Sequence, residues 1–488
     1  MLKKLVVVPI CLAFLCGSVM AQDAKTVIAN AQKALGDLQS ITYSGSAKDV
    51  AFQQCGANAA DMMCRGTHDP MRPIKNYVRV IDLTAPVSRQ TGATNNIGPG
   101  GSTTLTPGTF FQQVTPQQAD VSQPWASSLE FYITPWGFLK GAAANNATVS
   151  RRKVDGKNYT VLTWSPAVKA PSGKSYVING YVNDQNMLDR VETWLGENIM
   201  GDMHILATYT GWKDFGGVMA PSKIVQTRGG WPFFEVNVTA AKANPPDVAT
   251  LAPPPATAGG RGGAGAGAPP ALTVTSEKLG DGLYRLTTGP GSYDSVIVEF
   301  KDYVMMLEAG QSEARALAYI AETKKLIPNK PIRYVMNTHP HSDHTGGLPA
   351  LVAEGATIIT QKNNEAFLEK ALNTPRTLLN DTLAKSPKKA KIEAVAEKKV
   401  YSDGTRIIEM YHVSPVPHSN GLMIAYIPKE KILFQGDFSV NPGEPANDHV
   451  KALVPILEKL NLDFDRYINV HTSAAPQTKA DVWKAVGK

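Results

Sequence analysis

Apolar positions along this chain repeat in two rhythms, and the change between them falls at a Pro- and Gly-rich break. From Asp23 to Leu38, the residues Val27, Ile28, Ala31, Leu35 and Leu38 recur near helical spacing, which predicts an amphipathic helix. Turn-punctuated runs rich in Val, Ile, Tyr and Trp follow at Tyr159 to Trp164, Ser175 to Val182, Met203 to Tyr209 and Phe233 to Val238. These predict antiparallel strands. The Gly- and Pro-rich stretch from Gly92 to Pro107 reads as a long surface loop.

The break runs from Pro253-Pro254-Pro255 through a Gly/Ala tract at Gly259 to Gly267 and on to Pro269-Pro270. A segment of this composition buries little and loses much backbone entropy if ordered, so residues 249–272 are expected to be a tether. It separates a β-rich domain at 22–248 from a second domain at 273–488, each with its own core. Past the tether, strands alternate with helices. Strands are predicted at Ser295 to Phe300, Tyr303 to Leu307, Ile332 to Met336, Ala356 to Thr360, Arg406 to Val413, Gly421 to Ile427 and Lys431 to Phe434. Helices are predicted at Ser312 to Leu326, Asn363 to Leu372 and Asp448 to Leu460. That order suits an α/β sandwich of two sheets with helices outside.

Composition adds compartment. Lys3 and Lys4, an apolar run from Leu5 to Cys16 and the small-residue pattern Ser18-Val19-Met20-Ala21 are expected to form a cleavable secretory leader over residues 1–21. A periplasmic or secreted protein follows, with no stable membrane span, since the run is short of the roughly 20 apolar residues a span needs. Leu15 argues against a lipid anchor at Cys16. Of four cysteines, Cys55 and Cys64 remain after cleavage, and one disulfide is their simplest pairing in an oxidising compartment; thiolate metal ligation beside His68 is the alternative.

With 43% hydrophobic and 19% charged residues over 488 positions, the chain is ordinary globular protein. Its formal net charge of +7 is mild for this length and does not argue for nucleic acid. The densest basic run, Lys385 to Lys399, is broken by Glu393 and Glu397 and reads as a solvated face.

The chemistry concentrates after one strand. Ile332 to Met336 leads into Asn337-Thr338-His339-Pro340-His341-Ser342-Asp343-His344-Thr345-Gly346-Gly347. Alternate side chains of an extended segment share a side, so His339 and His341 can face one cation. Asp343 and His344 follow on the turn, and the two glycines permit tight backbone before a helix. Imidazole and carboxylate are the ligands of zinc-like cations, and sheet packing requires nothing of this kind. Further ligands are expected from strand edges downstream: His418 in Pro417-His418-Ser419-Asn420-Gly421, Asp437 after Leu433 to Gly436, and His471 after the apolar run Tyr467 to Val470. His412 lies within a strand-like run and reads as structural or supporting. His449, His68 and His204 have no clustered partners in sequence.

With these ordered motifs, residues 273–488 resemble the metallo-β-lactamase-fold superfamily, an αββα sandwich. The resemblance implies that His339, His341 and His418 hold one metal, that Asp343, His344 and His471 hold a second, and that Asp437 bridges them. Two Zn2+ ions are the expected cofactors. A hydroxide shared by the two ions is the expected nucleophile, with Asp343 as catalytic group orienting it or relaying a proton. The substrate class is a small-molecule ester, lactone, amide, thioester or phosphoester. The chain departs from the pattern at Glu308-Ala309-Gly310, where Asp is usual, and at Thr472, where Gly usually follows the last histidine. Classical zinc β-lactamases carry Cys or Ser where Asp437 stands, which points away from β-lactam cleavage. The interval between His344 and His418 leaves no room for the inserted domain of the nuclease branch.

An amphipathic helix followed by many antiparallel strands, with Tyr209 to Pro221 and Trp231-Pro232-Phe233-Phe234, resembles the half-barrel of periplasmic lipoprotein carriers. No functional residue is carried over from that resemblance. Two alternatives therefore stand beside the hydrolase: a mono-iron, sulfur-dioxygenase-like oxidoreductase, and an envelope carrier whose N-terminal domain holds a lipid-like ligand while the metal domain is secondary.

Overall fold

The computed structural model describes residues 23–36, 38–50, 71–97, 103–112, 125–252, 272–289, 293–441, 443–471 and 475–488. The expected leader, Cys55, Cys64, His68 and residues 253–271 of the expected tether lie outside the described residues. No described helix is long and apolar enough to cross a membrane.

The N-terminal domain is built on eleven strands: β1 (Ser40–Asp49), β2 (Arg72–Asp82), β3 (Val87–Ile97), β4 (Thr103–Gln112), β5 (Thr148–Val154), β6 (Lys157–Trp164), β7 (Ile178–Val182), β8 (Leu188–Glu197), β9 (Gly201–Asp214), β10 (Met219–Arg228) and β11 (Trp231–Ala243). They form one sheet in the order β4-β3-β2-β1-β11-β10-β9-β8-β7-β6-β5. Every neighbouring pair is antiparallel. β4 and β5 are its two edges, so the sheet is open and not a closed barrel.

Helices α1 (Ala24–Leu35), α2 (Ala126–Tyr132) and α3 (Pro135–Ala144) pack on this sheet. Asp23 caps α1 by accepting the Thr26 amide at 2.7 Å, and Val27, Ile28, Ala31 and Leu35 form the buried stripe expected from sequence. α3 lies so close to β6 that a Cβ on Gly141 would come within 2.2 Å of the Trp164 ring, so glycine is needed there. Beneath α2, the carboxylate of Glu130 serves two guanidinium groups, Arg228 at 3.0 Å and Arg79 at 3.7 Å. Arg79 Nε also donates to Ser88 Oγ at 2.9 Å.

The loop expected from Gly92 to Pro107 is corrected. Residues on both sides of a short connection form β3 and β4, paired from Arg89↔Gln112 to Ile97↔Thr103. A ladder is made by backbone amides, and Thr, Asn and Gly supply these without apolar alternation, so the hydrophobic pattern carried no sign of it. Residues 249–252, assigned to the tether, instead belong to a short helix α4 (Val248–Leu251) and its cap; buried Ala252 packs against Val80 and Val87.

The C-terminal domain has four layers. β12 (Thr275–Gly280), β13 (Leu283–Thr287), β14 (Ser295–Glu299), β15 (Val304–Leu307), β16 (Ile332–Met336), β17 (Thr357–Gln361) and β18 (Lys391–Val395) form one sheet in that order. β19 (Lys398–Ser402), β20 (Ile407–His412), β21 (Met423–Ile427), β22 (Ile432–Gln435) and β23 (Arg466–Asn469) form the other. Alternation along single strands sorts the layers: Val296, Val298, Met305 and Leu307 meet Met410, Met423 and Phe434 between the sheets, whereas Ile297, Val304 and Met306 face outward. The outward face is covered by α5 (Glu313–Leu326) and, beyond a short turn α6 (Ser342–Thr345), α7 (Leu348–Glu354). α8 (Glu365–Leu372) and α9 (Thr382–Lys385) follow on the same side. On the far side α10 (Asp448–Leu460) and α11 (Lys479–Ala485) cover Ile424, Leu433 and Tyr467.

The domains are not two cores joined only through the tether. One buried apolar cluster runs from the N-terminal sheet into the helices outside β15, β16 and β17. Trp231 meets Phe367 across the contact with ring centroids 5.6 Å apart, and the contact is polar as well: the Asp202 carboxylate accepts the Thr377 and Leu378 amides, both at 2.9 Å.

Candidate metal centre

β16 ends in a loop folded by its own polar groups. The Asn337 backbone amide completes the sheet by donating to Ile359 O at 2.9 Å. Its side-chain amide then donates to His339 O at 2.7 Å and His344 O at 3.2 Å, drawing the loop into a closed turn. Asp343 and His344 sit within the single helical turn α6, and Thr345 Oγ1 donates to His341 O at 2.9 Å. A Cβ on Gly346 would fall 2.0 Å from Gln311 O, and one on Gly347 2.2 Å from Ala309 O. The two glycines therefore let this loop pass against residues 309–311. His418 lies between β20 and β21, Asp437 just after β22 and His471 just after β23.

These loops bring all seven expected ligands together. Donor atoms of His339, His341, His418 and Asp437 lie within 4.8 Å of one another, as do those of Asp343, His344 and His471. His339 Nε2 is 3.0 Å from His341 Nδ1 and 3.1 Å from His418 Nε2, while His344 Nε2 is 3.0 Å from His471 Nε2. A single imidazole proton cannot serve His339 toward two neighbouring nitrogens. Lone pairs converging in this way, with His339 and His344 fully buried, fit a divalent cation. Asp437 divides its oxygens: Oδ1 is 2.8 Å from His344 Nε2 and 2.9 Å from His471 Nε2, and Oδ2 is 2.9 Å from His418 Nε2. That placement matches a carboxylate shared between two ligand groups.

The electrostatics separate the two fully buried histidines. Burial pushes His339 well below the usual imidazole range, and the neighbouring His344 charge adds to this. Burial also disfavours charge on His344, but Asp437 and Glu308 outweigh it and hold its pKa well above the usual range. For Asp437, burial is opposed by His344, His339 and His418, which keep the carboxyl well below its ordinary value. The site thus maintains a carboxylate at its centre among basic nitrogens.

Supporting groups surround it. Glu308, at the end of β15 with φ +75°, places Oε2 2.5 Å from Thr338 Oγ1 and 3.2 Å from His344 Nδ1. This is the acidic position at which the chain departs from Asp, and it orients the His344 ring. Tyr293 packs on His471 with ring centroids 4.7 Å apart and on His344 at 6.1 Å. Sequence reasoning did not single out Tyr293, because an aromatic residue before a strand carries no signal of its own.

His449, which has no clustered partner in sequence, stands with its ring 4.7 Å from that of His418. Burial and the His418 charge push it down to about 4, so it lies neutral beside the centre. His412 is held away, as expected, with Nε2 2.8 Å from Asn420 O. His204 pairs with Glu192 at 3.1 Å in the N-terminal domain.

Residues 288–473 match the family model described as the metallo-beta-lactamase superfamily. Among solved structures, a metallo-beta-lactamase from Pontibacter korlensis is 16% identical, with 44% of this chain and 98% of that one covered at a TM-score of 0.34. The DIM-1 metallo-beta-lactamase is likewise 16% identical, with 44% and 95% covered at 0.34. A metallo beta lactamase from Hirschia baltica is 19% identical, with 43% and 95% covered at 0.33.

Proposed function

From the match of residues 288–473 to the metallo-beta-lactamase superfamily, we propose that this protein is an exported, binuclear metal-dependent hydrolase of small-molecule esters, lactones, amides, thioesters or phosphoesters. The observation that carries the reading is the division of Asp437 between two convergent ligand groups. His339, His341 and His418 would hold one ion and Asp343, His344 and His471 the other, with zinc the expected metal for this nitrogen-rich set. Bound there, the ions supply Lewis acidity toward a substrate oxygen and a water nucleophile available near neutral pH.

The chain's own residues do the rest. Asp343, whose side chain is about a quarter exposed, faces His344 Nε2 at 3.5 Å and His471 Nε2 at 3.7 Å from the open side of the centre, where it orients the attacking water. Glu308 fixes the His344 ring from behind, so its Nε2 stays aimed at the centre. Neutral His449 lines the other flank beside His418 and offers a substrate a hydrogen bond without a competing charge.

The leader over residues 1–21 is the basis for export. Asp437 in place of Cys or Ser keeps β-lactams behind esters and lactones in expected preference. The test is a panel of ester, lactone, thioester, phosphoester and β-lactam substrates on the zinc-loaded full chain, with a chelator control. Chelator-sensitive turnover of at least one non-β-lactam class supports the reading. No turnover together with one iron per chain contradicts it.

A further inference from the structure

We propose that the β8–β9 turn of the N-terminal domain is a positioning element for the metal loop, and that Asn198 acts on Asp343 and His344 through the carbonyl of Gly346. The inference rests on the metal-centre reading above and assigns a role to the N-terminal domain. Asn198 Nδ2 donates to Gly346 O at 2.6 Å, across a sequence separation that only the domain contact can close. Gly346 is the C-cap of α6, the turn that carries Asp343 and His344.

On its own side the metal loop is already fastened. Asn337 holds the carbonyls of His339 and His344, and the Gly347 amide donates to Gly310 O at 2.9 Å. The Gly346 carbonyl, at the end of α6, is the one that Asn198 takes.

Asn198 is itself held on both sides. The Glu197 carboxylate accepts the Ile199 amide at 2.9 Å and the Met200 amide at 2.7 Å, which closes the turn. Arg376 Nη2 donates to Asn198 O at 2.6 Å, and the same guanidinium is fixed by Asp381, its Nε lying 3.0 Å from Oδ2. Arg376 and Asp381 are both buried. Asp202, at the start of β9, anchors the turn to the same segment through the Thr377 and Leu378 amides. A continuous polar line thus runs from Asp381 through Arg376 and Asn198 to Gly346. Such a line resists displacement because each buried partner would lose its hydrogen bond if the turn withdrew.

Groups that hold metal ligands in place typically change metal affinity 10- to 100-fold when removed. Asn198→Ala in the full chain should therefore weaken the zinc of the Asp343, His344 and His471 group, here the second equivalent, by about 10-fold, measured by competition with a chromophoric chelator, and leave that of the His339, His341 and His418 group within about 2-fold. Cobalt(II) loading should show the second-equivalent visible bands altered in the same variant. Arg376→Gln, which releases the Asn198 carbonyl, should shift the second equivalent in the same direction.

Lys370→Ala is the comparison for general loosening, since Lys370 contacts Gly229 O and the Trp231 ring elsewhere in the domain contact. It should leave both equivalents unchanged. Equal zinc affinities in folded Asn198→Ala and wild type would overturn the proposal, as would an equal loss in Lys370→Ala. A wild-type chain that takes up no zinc would instead overturn the underlying metal-centre reading.

Discussion

Glu308 Oε2 stands 3.2 Å from His344 Nδ1, on the far side of a ring whose Nε2 lies 2.8 Å from Asp437. His344 is thereby held between two carboxylates, one outside the centre and one inside it. Glu308 is fully buried, sits at positive φ and leaves Oε1 without a hydrogen-bond partner among the described residues. A buried charge kept under these conditions is consistent with a functional constraint. Glu308→Gln retains the shape but removes the charge behind His344. Zinc affinity at the second ligand group should fall about 10- to 100-fold, read by chelator competition, with the first group little changed.

Tyr293 supports the same group from another direction. Its carbonyl accepts the Tyr319 hydroxyl at 2.8 Å, the next residue's amide donates to Val470 O at 2.8 Å, and the Arg315 guanidinium lies 5.2 Å from its ring. The His471 ring therefore rests on a fixed aromatic wall. Tyr293→Phe should keep second-site metal affinity within about 3-fold, whereas Tyr293→Ala should lower it by about 10-fold. Equal behaviour of the two variants would remove the packing argument.

Much of the centre was legible because its residues are chemically costly anywhere else. Three histidines and an aspartate after one strand have no role in packing, and His418, Asp437 and His471 each follow or precede an apolar run that predicts a rigid edge. Helices Glu313–Leu326 and Asp448–Leu460 were equally plain, since one face of each is apolar at helical spacing. What stayed hidden depends on long-range contact. Asn198 reaches Gly346 from another domain, His449 meets His418 only after α10 docks, and the β3–β4 ladder is written in backbone amides rather than side chains.

The N-terminal domain carries its own polar commitment at Glu130, which is buried and shared by Arg79 and Arg228. Glu130→Ala would leave two guanidinium groups without their carboxylate in the interior. Removing one partner of such a group costs about 3–5 kcal/mol, and urea unfolding should show a loss of this size. A change below about 1 kcal/mol would mean that solvent or another acceptor replaces the carboxylate.

The central claim is that seven side chains on four loops hold two cations with Asp437 between them, and metal stoichiometry of the full chain tests it most directly. Elemental analysis after loading with zinc and removal of free metal should give about two ions per chain in the wild type. His339→Ala combined with His341→Ala should remove the ion of the first group, and His344→Ala combined with His471→Ala that of the second. A wild-type chain that retains no zinc, or one whose full complement survives either double substitution, would contradict the account.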